Sequence, residues 1–285
     1  MLRLFALTAL TMVAFAANSL LNRAALIDGA TTPIAFAAVR VVSGAVVLAV
    51  LVAVRKGWPK PGGAGRLLGA GSLVLYLLGF SFAYISLDAG LGALVLFGVV
   101  QVTMFTGAVL SGERLPAARW LGSAIAVAGL AWLVWPGEAS VPLVPVFLMT
   151  LAAVGWGVYS LAGRGASDAL GDTTANFIFA VPPVLLVWLV IGGGLHLQGL
   201  LLGIMSGALT SALGYALWYS LLPSLDRTVA ALAQLTVPVI AVLGGAIFLG
   251  EAVTARLVMA SLVILGGVAF GVLAPSQRRI GSSGS

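Results

Sequence analysis

Arg40 stands inside an apolar run extending from about residue 32 to 54. A guanidinium keeps its proton in proteins, so a charge in such a run needs a partner. It either bonds backbone carbonyls and broken helix ends, which is a structural role, or meets the carboxylate of a small solute. Asn18, Gln101 and Gln234 interrupt other apolar runs. Their amides offer donors and acceptors that suit an amino-acid zwitterion, or equally hold one helix to the next. Aromatic residues keep helical company with them. Thr11, Phe15, Asn18 and Asn22 fall at i, i+4, i+7 and i+11, in a narrow arc. Tyr76, Phe80 and Tyr84 fall at i, i+4 and i+8, and Trp156, Tyr159 and Ser160 lie together further on. Ser211, Tyr215, Trp218 and Tyr219 span an arc of about 100°. Phe97 shares a face with Gln101, and Gln234 lies four residues before Pro238.

Polar and aromatic residues on one face of several helices are what a solute cavity requires. The competing explanation is the belt of Tyr and Trp found at membrane surfaces. It suits Trp58, Trp120, Trp132, Trp135 and Trp188, and it fits Tyr76, Phe80, Trp156 and Tyr215 less well because these are mid-run. Phe80 and Phe97, taken singly, are ordinary core.

The same inventory excludes other chemistry. Cysteine is absent and His196 is the one histidine, so thiolate, disulfide and histidine-based metal sites are not expected. No His-Glu-x-x-His and no Walker A loop occurs, and a serine hydrolase would lack a base. No cofactor and no enzymatic activity are expected. Asp88, Glu113, Asp226 and Glu251 fall at the ends of apolar runs, where capping and pairing with Arg114 or Arg256 account for them.

These residues must be positioned by membrane helices. The chain has 285 residues, 61% hydrophobic and 8% charged. A soluble domain carries about 25% charged residues, so soluble classes are excluded. About 20 apolar residues cross a bilayer. Ten spans are predicted: 4–21, 32–54, 67–87, 91–110, 118–135, 142–162, 174–192, 198–222, 228–249 and 255–274. Met1–Leu4 resembles the basic start of a signal peptide, but the run that follows is span-length and is read as a retained first helix. Residues 276–285 form a tail that ends in an appended Gly/Ser stretch. With the N-terminus inside, Arg3, Arg55, Lys56, Lys60, Arg66, Arg114, Arg119, Arg164, Arg227, Arg278 and Arg279 lie on the inner side, against Arg23 and Arg256 outside. That bias predicts two cytoplasmic termini in a bacterial inner membrane. It also explains the net charge of +6 without a nucleic-acid partner.

The halves repeat. Ser86-Leu-Asp88 matches Ser224-Leu-Asp226 and Gly112-Glu113 matches Gly250-Glu251, both at an offset of 138. An offset of 141 aligns Val13, Phe15, Ser19, Leu20 and Arg23 with Val154, Trp156, Ser160, Leu161 and Arg164. The unit is five spans, 1–136 and then 137–275, so the second copy crosses in the opposite sense. Inverted repeats around a midplane site are a recurring plan of secondary transporters. Channels also duplicate, but neither charge rings nor a carbonyl filter is visible.

The Gly-Glu pairs after the fourth and ninth spans, Thr236-Val-Pro238, and Phe36-Ala-Ala-Val-Arg40 make the chain resemble the drug/metabolite transporter superfamily, specifically its EamA-type members. Val100 departs from the pattern where the first half matches Pro238. By overall similarity and aromatic content it is most similar to the YddG-type exporters of aromatic amino acids. The resemblance implies an all-α, ten-helix protein that exports small solutes by alternating access, and it inclines Arg40 toward the structural role. The expected cavity residues are Phe15, Asn18, Arg40, Tyr76, Phe80, Tyr84, Gln101, Trp156, Tyr159, Tyr215, Trp218, Tyr219 and Gln234. Expected partners are amino acids and membrane lipid, with the chain a monomer or weak homodimer. Gly203-x-x-x-Gly207 and Gly267-x-x-x-Gly271 are read as helix contacts within the chain, the second also as a candidate dimer face. With no Asp, Glu or His in mid-span, facilitated diffusion or exchange is expected rather than proton drive.

Overall fold

The computed structural model describes residues 2–56, 65–113, 115–135, 142–163 and 166–273. Lys60, Arg114, Glu138, Arg164, Arg278, Arg279 and the tail 276–285 lie outside the described residues. The protein is all-α, and ten helical stretches among those residues are long and apolar enough to cross a membrane. The first seven spans are α1 (Leu2–Leu26), α2 (Pro33–Lys56), α3 (Gly65–Ala83), α4 (Ala89–Leu110), α5 (Ala117–Val134), α6 (Leu143–Ala162) and α7 (Ala169–Ile191). The eighth is composite: α8 (Leu197–Ile204), a π-helical stretch (Met205–Leu213) and α9 (Gly214–Leu221). The ninth is α10 (Arg227–Gln234) and α11 (Thr236–Leu249), parted at Leu235, and the last is α12 (Ala255–Leu273).

Four boundaries differ from the sequence reading, and each difference moves a functional side chain. α1 runs on to Leu26, so Asn22 and Arg23 belong to the helix. α3 stops at Ala83, which leaves Tyr84 in the turn rather than on the helical face of Tyr76 and Phe80. α7 begins at Ala169, because Asp168 caps it by accepting the N–H of Gly171, and the polar residues Asp172 to Asn176 therefore become its first turns. The ninth span breaks at Leu235, three residues before Pro238, whose ring has no N–H to donate and crowds the carbonyl one turn back.

Packing pairs spans across the two halves. α2 lies on α7, α4 on α11 and α5 on α12. The contact of α3 with α6 is matched by that of α1 with the eighth span, and the contact of α4 with α6 by that of α1 with α11. The glycine stripes serve this packing within one chain. A Cβ on Gly267 would meet Ile125 and the carbonyl of Gly122, and one on Gly207 would strike Ser43 and the carbonyl of Arg40. Small residues let these backbones touch, which is how helices associate in lipid. Both Gly-Glu motifs share a backbone reason too. Gly112 and Gly250 have φ of 76° and 68°, the left-handed conformation that ends a helix and that glycine adopts without strain.

Candidate functional site

A cavity of about 1320 Å³ enters the bundle from the face that carries Arg66, Glu113, Arg119 and Pro223. Its walls come from α1, α3, α4, α6, α7, the eighth span and α10. Phe15, Asn18, Tyr76, Phe80, Gln101, Trp156, Tyr159, Tyr215, Trp218, Tyr219 and Gln234 all line it. The rings form one connected wall. Trp156 stacks with Tyr159 (5.3 Å between centroids, 20° between planes) and with Tyr215 (5.2 Å, 27°). Tyr76 leans on Trp156 at 5.0 Å and on Phe80 at 5.2 Å, while Phe15 sets its edge against Tyr215 and Trp218. Such pairs add about 0.5–1.5 kcal/mol each beyond area burial, so the wall is pre-organised.

Two expected residues do not line the cavity. Tyr84 is wholly buried and donates its hydroxyl to the carbonyl of Ala89, tying the α3–α4 turn. Arg40 is 0% exposed and lies behind the wall, with its guanidinium carbon 5.2 Å from the Tyr76 ring centre and 5.1 Å from that of Phe80. Its Nε donates to Ser211 Oγ at 3.2 Å and its Nη2 to the Tyr76 hydroxyl at 2.9 Å, while Nη1 has no hydrogen-bond partner. The backbone carbonyls anticipated as its partners do not serve it. Asn18 reaches the cavity with its carbonyl oxygen already taken by the hydroxyls of Ser206 (2.9 Å), Thr210 (2.6 Å) and Ser211 (3.3 Å). A π-helical stretch is what carries these three hydroxyls. The extra residue per turn turns Ser206, Thr210 and Ser211 toward α1 together.

At the mouth, Arg66 clamps the start of α7. It donates to Asp172 Oδ1 at 2.7 Å, to the Asp172 carbonyl at 2.8 Å and to Asn176 Oδ1 at 3.1 Å. Sequence reasoning left the seventh span out of the site. The signal was present, in Asp172-Thr-Thr-Ala-Asn176 at one end of an otherwise apolar run.

The opposite end is shut. Arg23 donates to the carbonyls of Tyr84 and Ile85 at 3.2 and 2.8 Å and lies 3.8 Å from Asp88 and 3.9 Å from Glu251. Glu251 also accepts the N–H of Ala89 with both oxygens. This corrects the expected pairing of Glu251 with Arg256, which instead donates to the carbonyls of Trp132 and Trp135 and anchors α12 to the end of α5. Among the described residues no group of three or more His, Cys, Asp or Glu could hold a metal ion.

A ten-span bundle with a deep solute cavity open on one face is the architecture of a membrane transporter. Residues 143–273 match the EamA-like transporter family. A protein of Pseudomonas aeruginosa, described only as uncharacterized, is 46% identical over 285 residues, covering 99% of each chain. A solved crystal structure, described simply as that of a protein, superposes with a TM-score of 0.66 at 19% identity, over 93% of this chain and 94% of the other, and so shares the fold. Residues 143–273 thus form a domain of the EamA-like transporter family, within the drug/metabolite transporter superfamily, whose members move small solutes across membranes.

Proposed function

We propose that the protein is a secondary carrier that exports small organic solutes, most readily amino acids with a preference for aromatic ones, in the manner of the YddG-type exporters it resembles. The observation that carries this reading is the connected wall of Tyr76, Phe80, Trp156, Tyr159 and Tyr215 around a cavity that reaches water on one face only. A ring among rings gains stacking beyond its burial, enough for a preference of about tenfold at most and too little for strict selection.

The protein sits in a bacterial inner membrane as two inverted five-span repeats, 1–136 and 137–275, with both termini in the cytoplasm. Arg66 and Arg119, both among the inner-side cations of the sequence, line the face on which the cavity opens, so by the positive-inside rule the cavity faces the cytoplasm. Switching consists in closing that mouth and parting Arg23 and Glu251 from the α3–α4 turn. Among the described residues the middle of the cavity offers no carboxylate and no imidazole to carry a proton, Glu113 and Asp172 being at the mouth, which supports facilitated diffusion or exchange.

The test is counterflow in proteoliposomes. Labelled phenylalanine should enter faster when unlabelled phenylalanine waits inside, and the rate should saturate. A flux that neither saturates nor accelerates belongs to a channel. Accumulation against the solute's own gradient, driven by an imposed pH gradient alone, would overturn the facilitator.

A further inference from the structure

Among the described residues Arg40 is the one charged side chain in the middle of the spans, and no carboxylate there pairs with it. Burying a cation without a counter-charge is expensive, and its unpartnered Nη1 adds to that cost. The charge is held against the cavity wall. Tyr76, whose hydroxyl accepts from Arg40, lines the cavity, and that hydroxyl's own proton has no acceptor among the described residues. Ser211, the second partner, bonds onward to Asn18, which also lines the cavity. The carbonyl oxygen of Asn18 is saturated by three hydroxyls, so what it has left to offer a solute is its two N–H donors. The deep wall thus presents donors backed by a positive charge.

We infer that this wall is a carboxylate subsite, and that the solute is recognised as a ring bearing one carboxylate, its α-amino group being dispensable. The inference rests on the solute-carrier reading above and sharpens its substrate class to aromatic monocarboxylates, with or without the amine. The carboxylate accepts from the Tyr76 hydroxyl and the Asn18 amide, with the Arg40 guanidinium directly behind as counter-ion. Among the described residues no carboxylate stands on the deep wall to receive an ammonium group: Glu113 and Asp172 lie at the mouth, where Arg66 holds Asp172. Cation–π binding on Tyr76 or Phe80 is opposed as well, because Arg40 already sits over both rings at 5.2 and 5.1 Å.

The experiment is competition against labelled phenylalanine counterflow in proteoliposomes at neutral pH, with protein-free liposomes subtracted. The competitors are 3-(4-hydroxyphenyl)propionate, which lacks the amine, and 2-phenylethylamine, which lacks the carboxylate. The acid should compete within about threefold of phenylalanine and the amine at least about tenfold more weakly, the discrimination that a hydrogen bond to a charged group supplies. Arg40→Gln should abolish the preference for acid over amine, and Arg40→Lys should keep it at lower affinity. The wild-type comparison stands even if Arg40→Gln does not fold. An amine that competes as well as the acid, or a folded Arg40→Gln that keeps the preference, overturns the subsite while leaving the carrier intact. Absence of counterflow for every ring-bearing solute overturns the carrier reading itself.

Discussion

The carboxylate of Glu251 accepts the backbone N–H of Ala89 at 2.7 and 2.9 Å, across 162 positions of sequence. Asp88 occupies the local N-cap position of α4 and makes no side-chain cap bond, so the helix is capped from the other half of the chain. A helix N-terminus leaves N–H groups without partners and carries partial positive charge, and both features favour a carboxylate. Gly250 aims that carboxylate, since its positive φ turns the chain back at the end of α11. This contact and the bonds of Arg23 to the α3–α4 turn seal the end of the bundle opposite the cavity mouth.

Removing the acceptor should loosen the seal. A buried N–H left without a partner costs about 1–3 kcal/mol. The natural chain has no cysteine, so Val100→Cys, on the cavity wall, gives a single reporter thiol. In that background Glu251→Ala is expected to raise labelling from the sealed face by about tenfold, in line with that cost. Glu251→Gln keeps an acceptor and should raise it far less. Equal labelling in the two variants would show that the Ala89 contact does not hold the face shut.

Gly245→Ala should imitate Glu251→Ala by a different route. A Cβ at position 245 would collide with the Glu251 carboxylate, which can swing aside at the end of its flexible side chain. Thermal unfolding should therefore change little while labelling of the reporter thiol rises. A variant that unfolds early without a change in labelling would contradict this account.

The seal should also respond to pH. Burial raises the pKa of Glu251 above that of an ordinary carboxyl group, and the Ala89 N–H and the charge of Arg23 offset this only in part. Asp88 pushes in the same direction as burial, and Tyr84 is the other titratable group facing Glu251. A face that opens returns Glu251 to water, where it holds its proton less tightly. Linkage then requires that lowering the pH through the raised value favours closure. Labelling of Val100→Cys from the sealed face should slow more steeply on acidification than it does in the Glu251→Gln protein, whose profile follows only the falling thiolate fraction. Faster labelling in acid would reverse the sign and refute the assignment.

Within the cavity, Trp156→Ala, Tyr215→Ala and Tyr76→Ala each remove a ring from the connected wall. Each should raise the KM for aromatic solutes by a few-fold to about tenfold, the size of one aromatic contact. Aliphatic amino acids should be affected less. Unchanged kinetics in all three folded variants would remove the cavity from the transport path.

Topology has its own test. Reporters fused after Lys60 and Arg278 are expected to read cytoplasmic, and one after Glu138 external. An external reading at Arg278 is incompatible with ten spans.

The sequence by itself determined ten spans and the helical faces that carry the aromatic and amide residues, because a hydrocarbon solvent imposes length and hydropathy residue by residue. Eleven aromatic and amide residues that share arcs on separate helices do line one cavity, since helical period is a local property. What the tertiary structure decided is where polar groups find partners over long range. Arg40 could be seen to need a counterpart, but only packing puts Ser211 and Tyr76 beside it and leaves Nη1 unbonded. Glu251 looked like a residue for its neighbour Arg256, yet the bend at Gly250 carries it to Arg23 and Ala89. The π-helical stretch from Met205 to Leu213 likewise has no periodic signature of its own, and it is what delivers three hydroxyls to Asn18. Local rules govern which side chains share a face; which charge meets which helix end depends on how ten helices pack, and no single stretch of chain encodes that.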